Sequence, residues 1–155
     1  MGMNFKKLNE HDLNRVAVSM VYNALPSDRT KIKATDILGQ SAPYDILWGD
    51  KKLCVRIANM STKSRFPKWN YTVATVSKRN LIDFFVFIAI KNNLVFNVFV
   101  LPFEIAPKTT ITITERLGEL RYEMLTTPLE KVGDKILSVG ERLPELVYLY
   151  REGQK

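Results

Sequence analysis

Two apolar runs near the middle of the chain constrain the fold more than any other feature. Residues 83–90 read DFFVFIAI and residues 95–102 read VFNVFVLP, and Asn92 and Asn93 supply turn chemistry between them. Nearly every residue in both runs is apolar, whereas a strand with one face in water alternates apolar and polar residues. The runs therefore predict strands buried on both faces, in a sheet that helices cover on both sides.

Elements of both kinds are predicted around this pair of strands. Apolar residues recur at helical spacing from Leu13 to Ala24, with Asn9 placed to cap the helix and Pro26 to end it. Short apolar or alternating runs predict further strands, and these runs are 31–37, 44–48, 52–59, 71–76 and, at an edge, 109–114. A capping box at 127–130 predicts a helix to residue 139, and 143–152 is a second short amphipathic element.

Length and composition indicate one compact domain. The chain has 155 residues, of which 46% are hydrophobic, enough for a single core. We predict an α/β domain with a central mixed β-sheet flanked by helices, spanning residues 1–155. Its core lies at about 8–106, and a C-terminal helical extension lies at about 107–155.

Several classes of protein are excluded by what the sequence lacks. No apolar stretch reaches the roughly 18 residues of a membrane span, and no secretory signal is present, so we expect a cytoplasmic protein without a membrane partner. One cysteine excludes an internal disulfide framework, and one histidine excludes a His-rich metal site. Cys54 lies in an apolar run and is interpreted as a buried hydrophobic residue.

The charge distribution points to a polyanionic partner, and we predict that this partner is DNA. The formal net charge is +7. The basic residues in the stretch from 51 to 79, which contains no acid, are Lys51, Lys52, Arg56, Lys63, Arg65, Lys68, Lys78 and Arg79. From residue 104 onward nine acids face eight bases, so the positive excess belongs to one region.

Residues 61–72, STKSRFPKWNYT, interleave bases with aromatic residues. We expect Lys63, Arg65 and Lys68 to contact phosphates and Trp69 to stack on exposed bases. The alternative is a solvated loop whose aromatic side chains pack into the core. Both interpretations stay open at this point.

The order of elements around PYDILW and KLCVRIA resembles the PD-(D/E)XK nuclease superfamily, which includes restriction enzymes, junction resolvases and some homing endonucleases. The resemblance covers about residues 8–106 and implies a restriction-endonuclease-like fold. In that family an aspartate and a second acid or glutamine bind Mg²⁺, and a lysine two residues further along orients the attacking water. Side chains at i and i+2 of a strand share a face, so this acid and lysine converge on one metal-bound water.

Carried over residue by residue, the family motif is only partly present. Asp45 matches the metal-binding aspartate, Arg56 falls on the second acidic position and Ala58 falls on the lysine. An arginine at a ligand position would repel the metal and pair with Asp45 instead. A family glutamate on the first helix falls near Leu13, which leaves Asp12 or Glu10 as displaced candidates.

Three function classes follow. The first is a DNA-binding protein whose catalytic site is degenerate. The second is an active, Mg²⁺-dependent DNA endonuclease that hydrolyses phosphodiesters with a relocated lysine, such as Lys52, Lys63 or one on a neighbouring strand. The third is an interaction subunit that docks through an apolar patch. A homodimer or higher homo-oligomer also stays open, because cleaving both strands of a duplex usually takes two sites.

Overall fold

The computed structural model describes residues 4–38, 43–61, 68–73, 81–114 and 125–152. The helices are α1 (Glu10–Ala24), α2 (Thr35–Leu38), α3 (Val132–Glu141) and α4 (Leu143–Glu152). The strands are β1 (Lys31–Lys33), β2 (Ile46–Trp48), β3 (Lys51–Asn59), β4 (Lys68–Thr72), β5 (Phe84–Lys91), β6 (Leu94–Pro102), β7 (Thr110–Thr114) and β8 (Thr126–Thr127).

Six of the strands form one central sheet in the order β1-β2-β3-β5-β6-β8. The central pair β3 and β5 runs parallel, while the other neighbours are antiparallel. The sheet is therefore mixed, and helices flank it, which confirms the predicted fold class. Strands β4 and β7 pair with each other in a separate antiparallel sheet.

The two faces of the central sheet are covered in different ways. Phe84 faces α3, where a Cβ on Gly140 would lie 3.5 Å from its ring. Phe85 and Phe87 face the other side, where the ring of Tyr71 in β4 stacks on Phe87 with centroids 4.4 Å apart. Helices were predicted on both faces. Within the ranges described above, the small β4–β7 sheet takes that place on the second face.

Element boundaries agree with the sequence where a local signal is strong. Asn9 caps α1 as predicted, since its Oδ1 accepts the N–H of Asp12 at 2.8 Å. The strand predicted over 31–37 ends at Lys33, because Thr35–Leu38 forms α2.

The C-terminal part of the chain contains more strand than expected. The residues predicted to open a helix at the capping box form a 3-10 turn over Leu129–Lys131, and the hydroxyl of Thr127 donates to Pro128 O instead of capping. The strand predicted over 109–114 forms as β7, in the small sheet, and β8, which was not predicted, joins the central sheet. These residues are therefore part of the same packed structure. None of the helices in the described ranges is both long and apolar enough to cross a membrane.

Candidate functional site

Asp45 lies directly before β2 and is held by its backbone and by its side chain. Its N–H donates to Leu53 O at 2.8 Å, and its carbonyl accepts from Ala34 N at 2.9 Å. Its carboxylate Oδ2 accepts the N–H of Val55 at 2.7 Å. The last β2–β3 pair joins Ile46 to Leu53, so the Asp45 side chain continues the pairing of β3 beyond the end of β2.

Arg56 follows on β3 and reaches the same carboxylate. Its Nη1 lies 3.4 Å from Asp45 Oδ2 and donates to Val55 O at 2.9 Å. The two side chains are 31% and 20% exposed, so the pair is half-buried and screened only in part. The prediction that Arg56 pairs with Asp45 is confirmed.

The ion pair lies in an open cleft of about 710 Å³ between β3 and the start of α1. The cleft is lined by Asn9, Glu10, His11, Leu13, Asn14, Asp45, Arg56 and Ile57. Sequence reasoning proposed Glu10 only as a displaced acid, interpreted His11 as a surface or capping residue, and did not place Asn14 at the site. Glu10 and Asn14 are one helical turn apart on α1, and that spacing is the signal that could have found the polar wall.

The lysine position of the motif is occupied by a small apolar residue. Ala58 is two residues beyond Arg56 on β3 and packs against the hydrophobic core. The backbone N–H of Lys52 donates to the Asp83 carboxylate and its carbonyl accepts the N–H of Asp83, and Lys52 does not line the cleft. None of the described residues that line the cleft is a lysine. Lys63, the other named candidate, lies outside the described residues.

Mg²⁺ does not fit the residues that this cleft presents. The ion is bound by oxygen ligands, usually one or two carboxylates together with waters. Asp45 supplies a carboxylate, but Arg56 Nη1 lies 3.4 Å from it, where a second positive charge is repelled. The described part of the chain contains no group of three or more His, Cys, Asp or Glu that could hold a metal.

The predicted DNA-contacting lysines that the structure describes do not lie in one patch. Lys51 and Lys52 begin β3, whereas Lys68 begins β4 next to Ser61, past the other end of β3. The length of β3 alone separates these positions by roughly 27 Å, at about 3.4 Å per residue. Lys51 also lies 3.7 Å from the carboxylate of Asp50. Lys63, Arg65, Lys78 and Arg79 lie outside the described residues.

The prediction that Trp69 stacks on bases is wrong. Trp69 is fully buried, and its indole N–H donates to Ile90 O at 3.0 Å. Tyr71, on the same side of β4, is buried as well and donates its hydroxyl to Ile88 O at 2.9 Å. This burial raises the pKa of Tyr71 far above its ordinary value. The alternative, in which these aromatic residues belong to the core, is confirmed for both.

Comparison with known proteins identifies a likeness of fold. No family model matches the chain, and no curated protein matches its sequence. The chain is similar to the solved structure of a bacterial homing endonuclease, I-Ssp6803I, with a TM-score of 0.54 and 18% sequence identity. The match covers 81% of this chain and 93% of that one. The chain therefore has a nuclease-like fold.

Proposed function

We propose that this protein binds DNA, has a PD-(D/E)XK nuclease-like fold and does not perform the metal-dependent cleavage of that superfamily. The observation that carries the proposal is the Asp45–Arg56 ion pair, in which a guanidinium lies 3.4 Å from the candidate metal-binding carboxylate. The cation is part of the protein, so the carboxylate is neutralised without an added ion.

Three further observations support DNA as the partner. The net charge is +7, and the stretch from 51 to 79 carries eight bases and no acid. A protein that neutralises phosphates with lysine and arginine gains affinity from released counterions, whatever the base sequence. The fold is similar to that of a homing endonuclease.

A salt titration tests the proposal. Binding of a labelled duplex should weaken as salt rises, with a slope of log affinity against log salt of about −4 to −5 if about five phosphates are contacted. The slope should be the same with and without Mg²⁺. Plasmid incubated with the protein and Mg²⁺ or Mn²⁺ should stay supercoiled.

A triple charge reversal locates the binding surface. Lys63→Glu, Arg65→Glu and Lys68→Glu together should remove most of the affinity. A control triple with the same change in net charge reverses exposed basic residues elsewhere, namely Arg15, Lys108 and Lys131. It should retain most of the binding. Equal loss in both triples would show a diffuse charge effect, and DNA affinity unchanged by either triple would favour the interaction-subunit alternative.

A further inference from the structure

The hairpin tip, residues 91–96 between β5 and β6, exposes apolar side chains beside the most buried strand of the protein. Leu94 is 70% exposed and Phe96 is 39% exposed. Asn92 and Asn93 make the turn with φ of 52° and 62°, a left-handed conformation that asparagine adopts more readily than most residues. Asn93 Oδ1 also accepts the N–H of Phe5 at 2.7 Å, which fixes the turn against the N-terminal segment.

Phe96 is positioned by a rigid partner. Its ring stacks on that of Trp69, with centroids 5.2 Å apart and an interplanar angle of 14°. Trp69 is itself fixed by burial and by its bond to Ile90 O. The Phe96 ring is therefore partly exposed but supported from beneath, so little conformational entropy remains to be lost when a ligand stacks on it.

Among the described residues, Lys91 and Lys68 bring positive charge near this aromatic pair. Lys91 Nζ lies over the Phe96 ring, 5.2 Å from its centroid, so this flexible side chain must move aside for a base to stack there. Lys68 precedes Trp69 on β4 and forms a bridge with Ser61, and Lys63 and Arg65 lie between these two residues in the sequence. Cations that follow a phosphate backbone, combined with an accessible aromatic face, are the features that bind unpaired nucleotides.

We propose that the hairpin tip is a stacking surface for an unpaired base of DNA, with Phe96 as the platform and Leu94 as its apolar edge. Phe96 thus takes the role that the sequence assigned to its buried neighbour Trp69. Lys91, once displaced from the ring by the base, can contact the phosphate of the stacked nucleotide. The proposal rests on the proposed DNA binding and deepens it, because it favours single-stranded, branched or distorted DNA over a regular duplex.

The test compares a single strand with the duplex of the same sequence by fluorescence anisotropy at one low salt concentration. Phe96→Ala should weaken single-strand binding between about fivefold and about 150-fold, the range measured for losing one base–aromatic stack. Duplex affinity should change less than twofold. Phe96→Tyr keeps the ring and should bind like the natural protein. Leu94→Ser, at the most exposed position, should weaken single-strand binding several-fold with little effect on folding.

Tyr148→Ala is the matched control, because Tyr148 is 65% exposed but lies on α4. Its affinity for both DNAs should be unchanged. Suppose that the natural protein binds both DNAs while Phe96→Ala and Leu94→Ser each change single-strand and duplex affinity equally. That result would refute the stacking surface but not DNA binding. If the natural protein binds neither DNA, the proposed function fails and the stacking surface fails with it. If Leu94→Ser dissociates an oligomer in sedimentation and leaves DNA affinity unchanged, the tip holds a second copy of the chain, which also overturns the proposal.

Discussion

Asp45 and Arg56 both bond to the backbone of Val55 as well as to each other. The Asp45 carboxylate accepts the N–H of Val55, and the Arg56 guanidinium donates to the Val55 carbonyl, while the two charges lie 3.4 Å apart. The pair therefore completes the edge of β3 where β2 has ended. Different substitutions can separate its two roles, which are to support the edge of β3 and to place a positive charge beside the Asp45 carboxylate.

Replacing Asp45 should affect stability in proportion to the hydrogen bond that is lost. Asp45→Ala leaves the Val55 N–H without its acceptor, which should lower the free energy of unfolding by about 1–3 kcal/mol. Asp45→Asn keeps a side-chain oxygen and removes the charge, so its loss should be smaller. Urea unfolding of the three proteins measures the difference, and equal stabilities would show that the carboxylate does not support the strand.

The double substitution Arg56→Glu with Ala58→Lys should restore divalent-ion binding. At an effective dielectric constant near 20, a doubly charged ion about 4 Å from one positive charge meets roughly 8 kcal/mol of repulsion before screening. Removing Arg56 removes that repulsion and supplies a second carboxylate. Calorimetric titration with Mg²⁺ or Mn²⁺ should show binding by the double variant and none by the natural protein.

Plasmid nicking is the corresponding functional assay. We expect the natural protein to leave the plasmid intact, and the double variant to nick it if Asp45 is correctly placed. Asp45→Asn is the control in both backgrounds, since it retains an acceptor for the Val55 N–H. Robust cleavage by the natural sequence that disappears in this control would mean that a relocated lysine serves the site, and the degenerate interpretation would be wrong.

Two glycines of α3 should respond oppositely to alanine. A Cβ on Gly133 would lie 2.6 Å from Pro26 Cδ and 3.2 Å from Trp48 Cη2, so Gly133→Ala forces repacking and should cost about 1–3 kcal/mol. A Cβ on Gly140 would lie at an ordinary contact distance of 3.5 Å from Phe84 Cζ. Gly140→Ala should stabilise by about 0.5–1 kcal/mol through helix propensity. Thermal unfolding of both variants checks the signs, and two losses of equal size would refute this account of the packing.

Tyr71 should make the protein sensitive to alkaline pH. Burial raises the pKa of its hydroxyl in the folded state, whereas in the unfolded chain it ionises near pH 10. The stabilisation is therefore complete below about pH 10 and is lost as pH rises further, by up to about 1.4 kcal/mol per pH unit. Tyr71→Phe should be the less stable protein at pH 8, because Ile88 O loses its donor, and the gap should narrow above pH 10. Parallel stability curves from pH 8 to 11 would contradict this prediction.

The sequence predicted the parts of the fold that depend on local patterns. The two apolar runs at 83–90 and 95–102 identified β5 and most of β6, and Asn9 marked the start of α1. The packing of the β4–β7 sheet was harder to predict from the sequence. Alternating apolar residues indicate a strand with one buried face, but they do not indicate what that face packs against. Trp69 shows the same limit, since base stacking and core packing both favour an aromatic residue at that position, and only its bond to Ile90 O distinguishes them.

The candidate site was predictable in one respect only. Asp45 directly precedes β2, and Arg56 lies eleven positions later on the neighbouring strand β3, so motif spacing was enough to bring them together. The wall of the cleft comes from α1, more than thirty residues earlier in the chain, and its approach depends on how the helix packs over the sheet. Helical periodicity in the sequence predicts which side of α1 is buried. It does not predict which strand the first turn of the helix packs against.

The parallel pairing of β3 with β5 has a consequence for the order in which the molecule folds. β5 and β6 are joined by two residues and can pair locally within microseconds, whereas Leu53 and Phe84 are separated by thirty residues of sequence. We therefore expect the hairpin to act as the template onto which β3 docks. Pulsed hydrogen exchange during refolding should protect the amide of Val86 before that of Val55, and simultaneous protection would argue for a single concerted step. If β3 docks last, the cleft is assembled in the last phase of folding. It is then the first part to open when the protein begins to unfold.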